Sequence, residues 1–157
     1  MEKLKRPLHR AGYYLNPYFY YEKKEATEKA GIFMNGFVEC MHMFYPNDAE
    51  KVEKIGEQMA MYQHQRGSFG RDLAKNGAKN PNLNPGKYTQ VTTPCSLEFH
   101  ILILLTIFNF LVNWWNFYGT DTPELKEMAM RILNLTTSSS GCERNWSTFE
   151  MVLQFIY

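Results

Sequence analysis

A glutamate beside a serine-rich stretch is the first residue whose type and spacing could do chemistry. In SSSGCERNWSTFE, residues 138–150, Glu143 follows Ser140 by three positions. This is the S-x-x-E spacing of a capping box, in which the serine hydroxyl and the carboxylate each accept a backbone N–H at a helix start. The same carboxylate could instead bind metal for phosphoryl transfer, which needs several carboxylates around two ions about 4 Å apart. Taken alone, the spacing favours the cap.

The other residues that could bind a metal form no recognisable set. Asp72 and Asp121 share neither spacing nor flanking pattern with Glu143. The three cysteines lie far apart without a C-x-x-C pair, which argues against a disulfide framework or a zinc site and favours a reducing compartment. The histidines also lack metal-ligand spacing. They are His9, His42, His64 and His100. We therefore expect no bound metal and no other cofactor.

Length and charge limit the kinds of partner. A chain of 157 residues corresponds to about one domain, and its 45% apolar residues are enough for a core. The net charge of +1 argues against a strongly electrostatic partner on average. The first ten residues are locally basic, however, and they are candidate DNA contacts. These candidates are Lys3, Lys5, Arg6 and Arg10.

Apolar spacing predicts a mainly α protein. Helices are expected at residues 25–44, from 47 or 48 to about 65, at 69–75, at 122–134, and from 140 onward. Asn47 or Asp48 would cap the second of them, and Gly67 would end it.

Two segments are expected to be extended instead. Pro7, Pro17 and the turn-favouring Asn16-Pro17 pair predict an irregular or extended arm at residues 6–21, and β-branched residues favour extended structure at 88–100. The apolar run 101–112 would span roughly 18 Å as a helix, against about 30 Å of bilayer hydrocarbon. We expect it to be buried in the protein, so that a membrane partner is disfavoured.

The clearest amphipathic helix starts after Thr122, a good N-cap that places Pro123 at the first helical position. Its apolar stripe and the aromatic residues on either side of it are the candidate core or dimerisation contacts. The tryptophan pair, followed by Phe117-Tyr118-Gly119, could also stack on nucleic-acid bases or fill a partner's groove, although packing in the chain's own core is favoured. The candidate residues are Trp114, Trp115, Leu125, Met128, Ala129, Ile132, Leu133, Trp146 and Phe149.

Residues 114–150 resemble the C-terminal region of plant hAT-superfamily transposase-like proteins. The resemblance lies in the elements W-W-x-x-Y-G, P-x-L-x-x-x-A-x-x-I-L and S-S-S-x-x-E-R-x-W-S, which occur here in that order. The stretch PLHRAGYYLNPYFYY, residues 7–21, is similar to an upstream block of the same proteins. The resemblance implies the end of an RNase H-like core joined to the hAT dimerisation region.

In active family members a triad of two aspartates and one glutamate holds metal ions for DNA strand transfer. The resemblance makes Glu143 the counterpart of that glutamate, whereas no segment here matches the two aspartates or the zinc-binding BED finger. We therefore expect no transposase activity, a divalent metal only in intact family members, and a capping role for Ser140 with Glu143.

The resemblance also divides the chain. Residues 1–87 would be a partial transposase-like helical region, 88–113 an atypical apolar insertion, 114–151 the dimerisation region and 152–157 an atypical tail. We hypothesise that the insertion and the tail are translated intron or degraded flanking sequence.

The expected function is that of a transposase-derived fragment, in the nucleus or else the cytoplasm, that dimerises with itself or a related hAT protein. No small-molecule substrate is expected. One alternative is the DNA-binding module of a domesticated transposase, and another is a truncated product without function.

Overall fold

The computed structural model describes residues 6–80 and 109–137, and this described part is helical without any strand. The expected mainly α fold is confirmed. The elements are α1 (Pro7–Leu15), α2 (Pro17–Glu22), α3 (Lys24–Ala30), α4 (Ile32–Phe44), α5 (Ala49–Gln63), a 3-10 turn (Gly67–Gly70), α6 (Asp72–Ala78), α7 (109–118) and α8 (Pro123–Thr137).

The aromatic segment 6–21 is helical, so the predicted extended arm is wrong. Pro7 and Pro17 each occupy the first position of a helix, where the missing N–H has no intrahelical acceptor to lose. The side chain of Asn16 accepts from the N–H of Tyr18 over 3.0 Å, as an N-cap does. The Asn-Pro pair therefore ends α1 and starts α2. The other predicted extended segment, 88–100, lies outside the described residues.

The single helix expected at 25–44 is two helices. Gly31 has a φ of +65° and separates α3 from α4, in the left-handed conformation that glycine adopts without steric cost. The cap of α5 is as predicted, because the carboxylate of Asp48 accepts from the N–H of Lys51 over 3.0 Å. That helix ends at Gln63, a few residues before the predicted stop at Gly67.

The core contains a cluster of aromatic rings around Tyr62 of α5, which is fully buried. Its ring stacks on that of Trp115 at 5.2 Å between centroids and on that of Tyr20 at 5.1 Å. Phe69 meets it edge-on at 5.5 Å, a favoured arrangement of aromatic pairs. The Tyr62 hydroxyl donates to the carbonyl of Tyr14, and burial raises the pKa of Tyr62 well above its ordinary value. Rings from both described parts of the chain therefore share one core.

Among the helices that the structure describes, none combines the length and apolar character that crossing a bilayer requires.

Candidate functional site

The two tryptophans of α7 are buried and hydrogen-bonded to the N-terminal part of the chain. The indole N–H of Trp115 donates to the carbonyl of Leu15 over 3.0 Å, and that of Trp114 donates to the carbonyl of Ala74 over 3.1 Å. Trp114 also stacks on Phe69 at 5.6 Å between centroids. The structure thus uses both indoles as core residues, and neither presents a face for stacking on a base.

The predicted apolar stripe of α8 faces the same core, against α1 and α5. All five of its residues are at most 3% exposed. They are Leu125, Met128, Ala129, Ile132 and Leu133. The sequence left core packing and dimer contact open for this stripe, and the structure places it inside the chain.

A side chain of α5 caps the N-terminus of α8. The N–H of Leu125 donates to the Oε1 atom of Gln58 over 2.8 Å, and the Nε2 of Gln58 donates to the carboxylate of Glu124. This hydrogen bond from Gln58 lowers the pKa of Glu124. Thr122, the predicted cap, donates its hydroxyl to the carbonyl of Gly119. Sequence reasoning missed Gln58, because its partners lie 66 and 67 residues away and no local pattern marks it.

The carboxylate of Asp121 holds the turn that contains Gly67 and Ser68. Its Oδ2 atom accepts from the N–H of Ser68 over 2.8 Å. Hydrogen bonds from the hydroxyl and the N–H of Ser68 lower the pKa of Asp121, and the charge of Arg71 adds a smaller effect. Gly67 has a φ of +58°, and a Cβ there would lie 2.8 Å from the same carboxylate oxygen. This candidate metal ligand therefore has a structural role.

The candidate catalytic carboxylates are not brought together within the described part of the chain. Asp72 lies in the first turn of α6, Asp121 binds Ser68, and Glu143 lies outside the described residues. No group of three His, Cys, Asp or Glu side chains in residues 6–80 and 109–137 is placed to hold a metal ion. The candidates Ser140, Trp146, Phe149, Lys3 and Lys5 also lie outside the described residues.

The two described basic candidates stand at the start of α1. Arg6 is exposed, whereas Arg10 is half-buried with its side chain against Gly36 of α4. A Cβ added to Gly36 would lie 2.5 Å from the Cβ of Arg10. The stem of Arg10 therefore takes part in the packing of α1 on α4, and a role in DNA contact stays a prediction for both arginines.

A polar groove lies between the N-terminal turns of α5 and α8. Lys51 pairs with Glu127 at 2.8 Å and lies 4.5 Å from the centre of the Tyr45 ring, and Lys54 pairs with Glu50 at 2.6 Å. The lining residues are Asp48, Glu50, Lys51, Lys54, Pro123, Glu124 and Glu127. Each of these two ion pairs has at least one partner well exposed to solvent, so the pairs contribute little stability. The carboxylates of Asp48 and Glu124 accept instead from the N–H of Lys51 and the amide of Gln58.

One face of α7 points to solvent and carries two aromatic rings. Phe110 is 36% exposed and Phe117 is 70% exposed. Phe117 is among the aromatic residues that the sequence offers for stacking or for a partner's groove, whereas Phe110 is only part of the apolar run 101–112. The signal that could have found Phe110 is its spacing of seven residues from Phe117, which returns to the same side of the helix, next to the buried Trp114 and away from Trp115.

Comparison with known families agrees with the resemblance at the C-terminal end. Residues 98–156 match the family model described as the hAT family C-terminal dimerisation region. No curated protein and no solved structure matches the chain. The matched range contains α7 and α8, and it also takes in residues 98–113 of the predicted insertion and most of the predicted tail. The division of the chain into these segments stays a prediction.

Proposed function

We propose that this chain is a transposase-derived fragment that associates with a second copy of itself or with a related hAT protein, and that it does not carry out DNA strand transfer alone. The observation that carries the proposal is the match of residues 98–156 to the hAT C-terminal dimerisation region. The remaining parts of the proposal are a plant source, descent from an RNase H-like core and a nuclear location. They come from the sequence resemblance.

The anchoring of α7 and α8 supports association through this region. Trp114 and Trp115 tie α7 to Ala74 and Leu15, and Gln58 ties the start of α8 to α5. A surface that is already ordered loses less conformational entropy when a partner binds. Because the apolar stripe of α8 is used in the core, association would use the outward surfaces of the matched region.

The proposed lack of catalysis rests on the carboxylates. Glu143 is the one residue that the resemblance pairs with the family triad, and Asp121 is engaged with Ser68. Two further metal-binding carboxylates would be needed around Glu143 for a two-ion mechanism. We infer that Glu143 acts with Ser140 as a helix cap.

Sedimentation velocity of the full chain, over a wide range of concentration and with light scattering as a second measure of mass, tests the association. The mass should rise from that of one chain to that of two as concentration increases. A mass that stays at one chain at the highest concentration would contradict homodimerisation. A mixture with a related hAT protein then tests the heterodimer.

Two further measurements separate this proposal from its competitors. Supercoiled plasmid incubated with the chain and Mg²⁺ or Mn²⁺ should show no nicking beyond that of a Glu143→Gln control. Nicking by the wild-type chain that is lost in Glu143→Gln would favour a metal-dependent enzyme instead. Binding to duplex DNA should be weak at low salt. Tight binding with a steep salt dependence would favour the DNA-binding alternative.

A further inference from the structure

Helix α7 has an inward face and an outward face of different character. Leu111, Trp114 and Trp115 point inward and are at most 7% exposed. Phe110, Asn113 and Phe117 are exposed, with the i, i+3, i+7 spacing of a single stripe that borders the buried Trp114, four residues after Phe110. The two phenylalanines stand about 10 Å apart along the helix axis.

This outward face differs from an ordinary surface helix face, which carries charged residues. The described residues of α7 include no charged side chain, and its other exposed positions, Asn109 and Asn116, are also asparagine. Two of the five large apolar side chains exposed in the described part of the chain lie on this one stripe. Exposed aromatic residues on an uncharged face are typical of a contact surface.

We propose that this outward face of α7 packs against the same face of a second copy of the chain, about a two-fold axis that passes close to Asn113. The proposal rests on the proposed function and adds the surface and the partner. The pairing brings the phenylalanines of the two copies together on either side of the asparagine pair.

The composition of the face favours a copy of itself over a different partner. In a two-fold contact the same patch serves both chains, so any charge near the axis meets its own copy. The side chains of α7 avoid that repulsion because none is charged; the nearby charge that the structure shows is the Lys126 ammonium of α8, which donates to the carbonyl of Asn116 over 3.3 Å. The amide of Asn113 has both donors and an acceptor, so it can pair with its own copy, and single asparagines set register in this way between paired helices.

The area of the two rings sets an expectation for affinity. The exposed areas of Phe110 and Phe117 together equal about the accessible area of one phenylalanine. This is roughly 200 Å² in each copy and roughly 400 Å² in a dimer. Stable interfaces bury about 1,200–2,000 Å² in total. The rings would therefore form the centre of the contact, with surrounding surface adding the rest, and the dimer should dissociate on dilution.

The first test replaces Phe117 in the full chain and measures the dimer dissociation constant by sedimentation. Phe117→Lys should weaken dimerisation by about tenfold or more, since it puts like charges into the contact and removes a central ring. Phe117→Leu keeps an apolar side chain, and its dimer dissociation constant should stay within about threefold of the wild-type value. Phe110→Lys should act in the same direction as Phe117→Lys. Circular dichroism should be unchanged for all three, because both positions point to solvent.

Each opposing result has a distinct meaning. Dimerisation that both lysine variants leave intact would overturn the proposed face while the proposed function stands. A lower unfolding free energy with an unchanged dimer fraction would assign the face to another segment of the same chain, and it would also overturn the proposal. A wild-type chain that stays monomeric at every concentration would remove this contact and the homodimer together.

Cross-linking tests the position of the axis. Asn113→Cys, in a chain with Cys95→Ser and Cys142→Ser, should give a disulfide-linked dimer on oxidation with copper phenanthroline. Helices paired in parallel or antiparallel about this axis both bring position 113 to its own copy, within the short Cα separation that a disulfide requires. Glu57→Cys in the same background is exposed on α5 and should give no such dimer. Failure of Asn113→Cys to cross-link a chain that still dimerises would overturn the axis.

Discussion

The indole nitrogen of Trp115 donates a hydrogen bond over 3.0 Å to the carbonyl of Leu15, although one hundred residues separate them along the chain. Leu15 is the last residue of α1, where helix carbonyls lack an intrahelical donor. Both residues are completely buried. The indole therefore satisfies a helix end in the first part of the chain and fills the core with an aromatic ring from the second.

Replacing Trp115 should cost more stability than any exposed change on α7. Trp115→Ala removes a fully buried ring and should lower the free energy of unfolding by about 3–5 kcal/mol. Trp115→Phe keeps an aromatic ring but leaves the Leu15 carbonyl without its donor, and it should cost about 1–3 kcal/mol from that loss. Urea unfolding followed by far-UV circular dichroism checks both.

Phe117→Ala, at an exposed position of the same helix, is the matched control. It should change the free energy of unfolding by no more than about 0.5 kcal/mol. It is measured at a concentration where the chain is monomeric. Equal losses for Trp115→Ala and Phe117→Ala would contradict the assignment of the inward face.

Two helical glycines should respond to alanine with opposite signs. In Gly36→Ala the new Cβ would lie 2.5 Å from the Cβ of Arg10, so α1 and α4 must move apart. This should lower the free energy of unfolding by about 1–3 kcal/mol. Nothing lies within 4 Å of a Cβ at Gly56 on α5, so Gly56→Ala should stabilise the chain by about 0.5–1 kcal/mol. Thermal and urea unfolding of the two variants decide this. A neutral Gly36→Ala would mean that α1 does not approach α4 so closely.

Gln58→Ala should loosen the start of α8. The N–H of Leu125 loses its acceptor, and lost N-caps cost about 1 kcal/mol. Amide hydrogen exchange at Leu125 should speed up, and NMR titration should show the pKa of Glu124 moving up towards its ordinary value. Glu57→Ala, at the exposed neighbouring position, should change neither quantity. Unchanged exchange at Leu125 in Gln58→Ala would contradict the cap.

Asp121 should make stability depend on pH in the acid range. The pKa of Asp121 is lower in the folded chain than in the unfolded chain, where it is near 4. Its contribution to the free energy of unfolding is therefore complete above the unfolded pKa and is lost as the pH falls through the folded pKa. Asp121→Asn should lower the urea midpoint at pH 6 and reduce the loss of stability between pH 6 and pH 3.

Ser68→Ala separates the cause of this effect from the charge itself. It removes the hydroxyl that contributes most to the lowered pKa and keeps the N–H that donates to Asp121. The pKa of Asp121, followed by carbon-detected NMR, should rise part of the way to its ordinary value. A pKa of Asp121 that is the same in wild type and Ser68→Ala would show that the backbone N–H alone sets it.

Local patterns in the sequence were sufficient for some elements. The spacing of apolar residues in α8 and the polar residue before α5 predicted both helices and the buried stripe, because these signals lie within a few turns of each other. The order of motifs in residues 114–150 indicated the hAT resemblance, and the match over 98–156 agrees with it.

Local patterns gave the wrong prediction at residues 6–21, where the prolines suggested an extended arm and the chain is helical. Pro7 and Pro17 are compatible both with an extended arm and with the first position of a helix, and neighbouring residues alone do not separate these cases. The rings of Tyr14 and Tyr20 are buried against Tyr62 when α1 and α2 are helical. Burial against a distant helix therefore decided the local conformation.

The sequence by itself determined that the chain is mainly helical, that one stripe of α8 is apolar, and that its C-terminal part resembles the hAT dimerisation region. Only the tertiary structure decided that this stripe and both tryptophans of α7 face the chain's own core, that Gln58 caps α8, and that Phe110 and Phe117 are left outside. The physical reason is that periodicity identifies an apolar face, whereas its burial depends on the helices that pack against it from elsewhere in the chain.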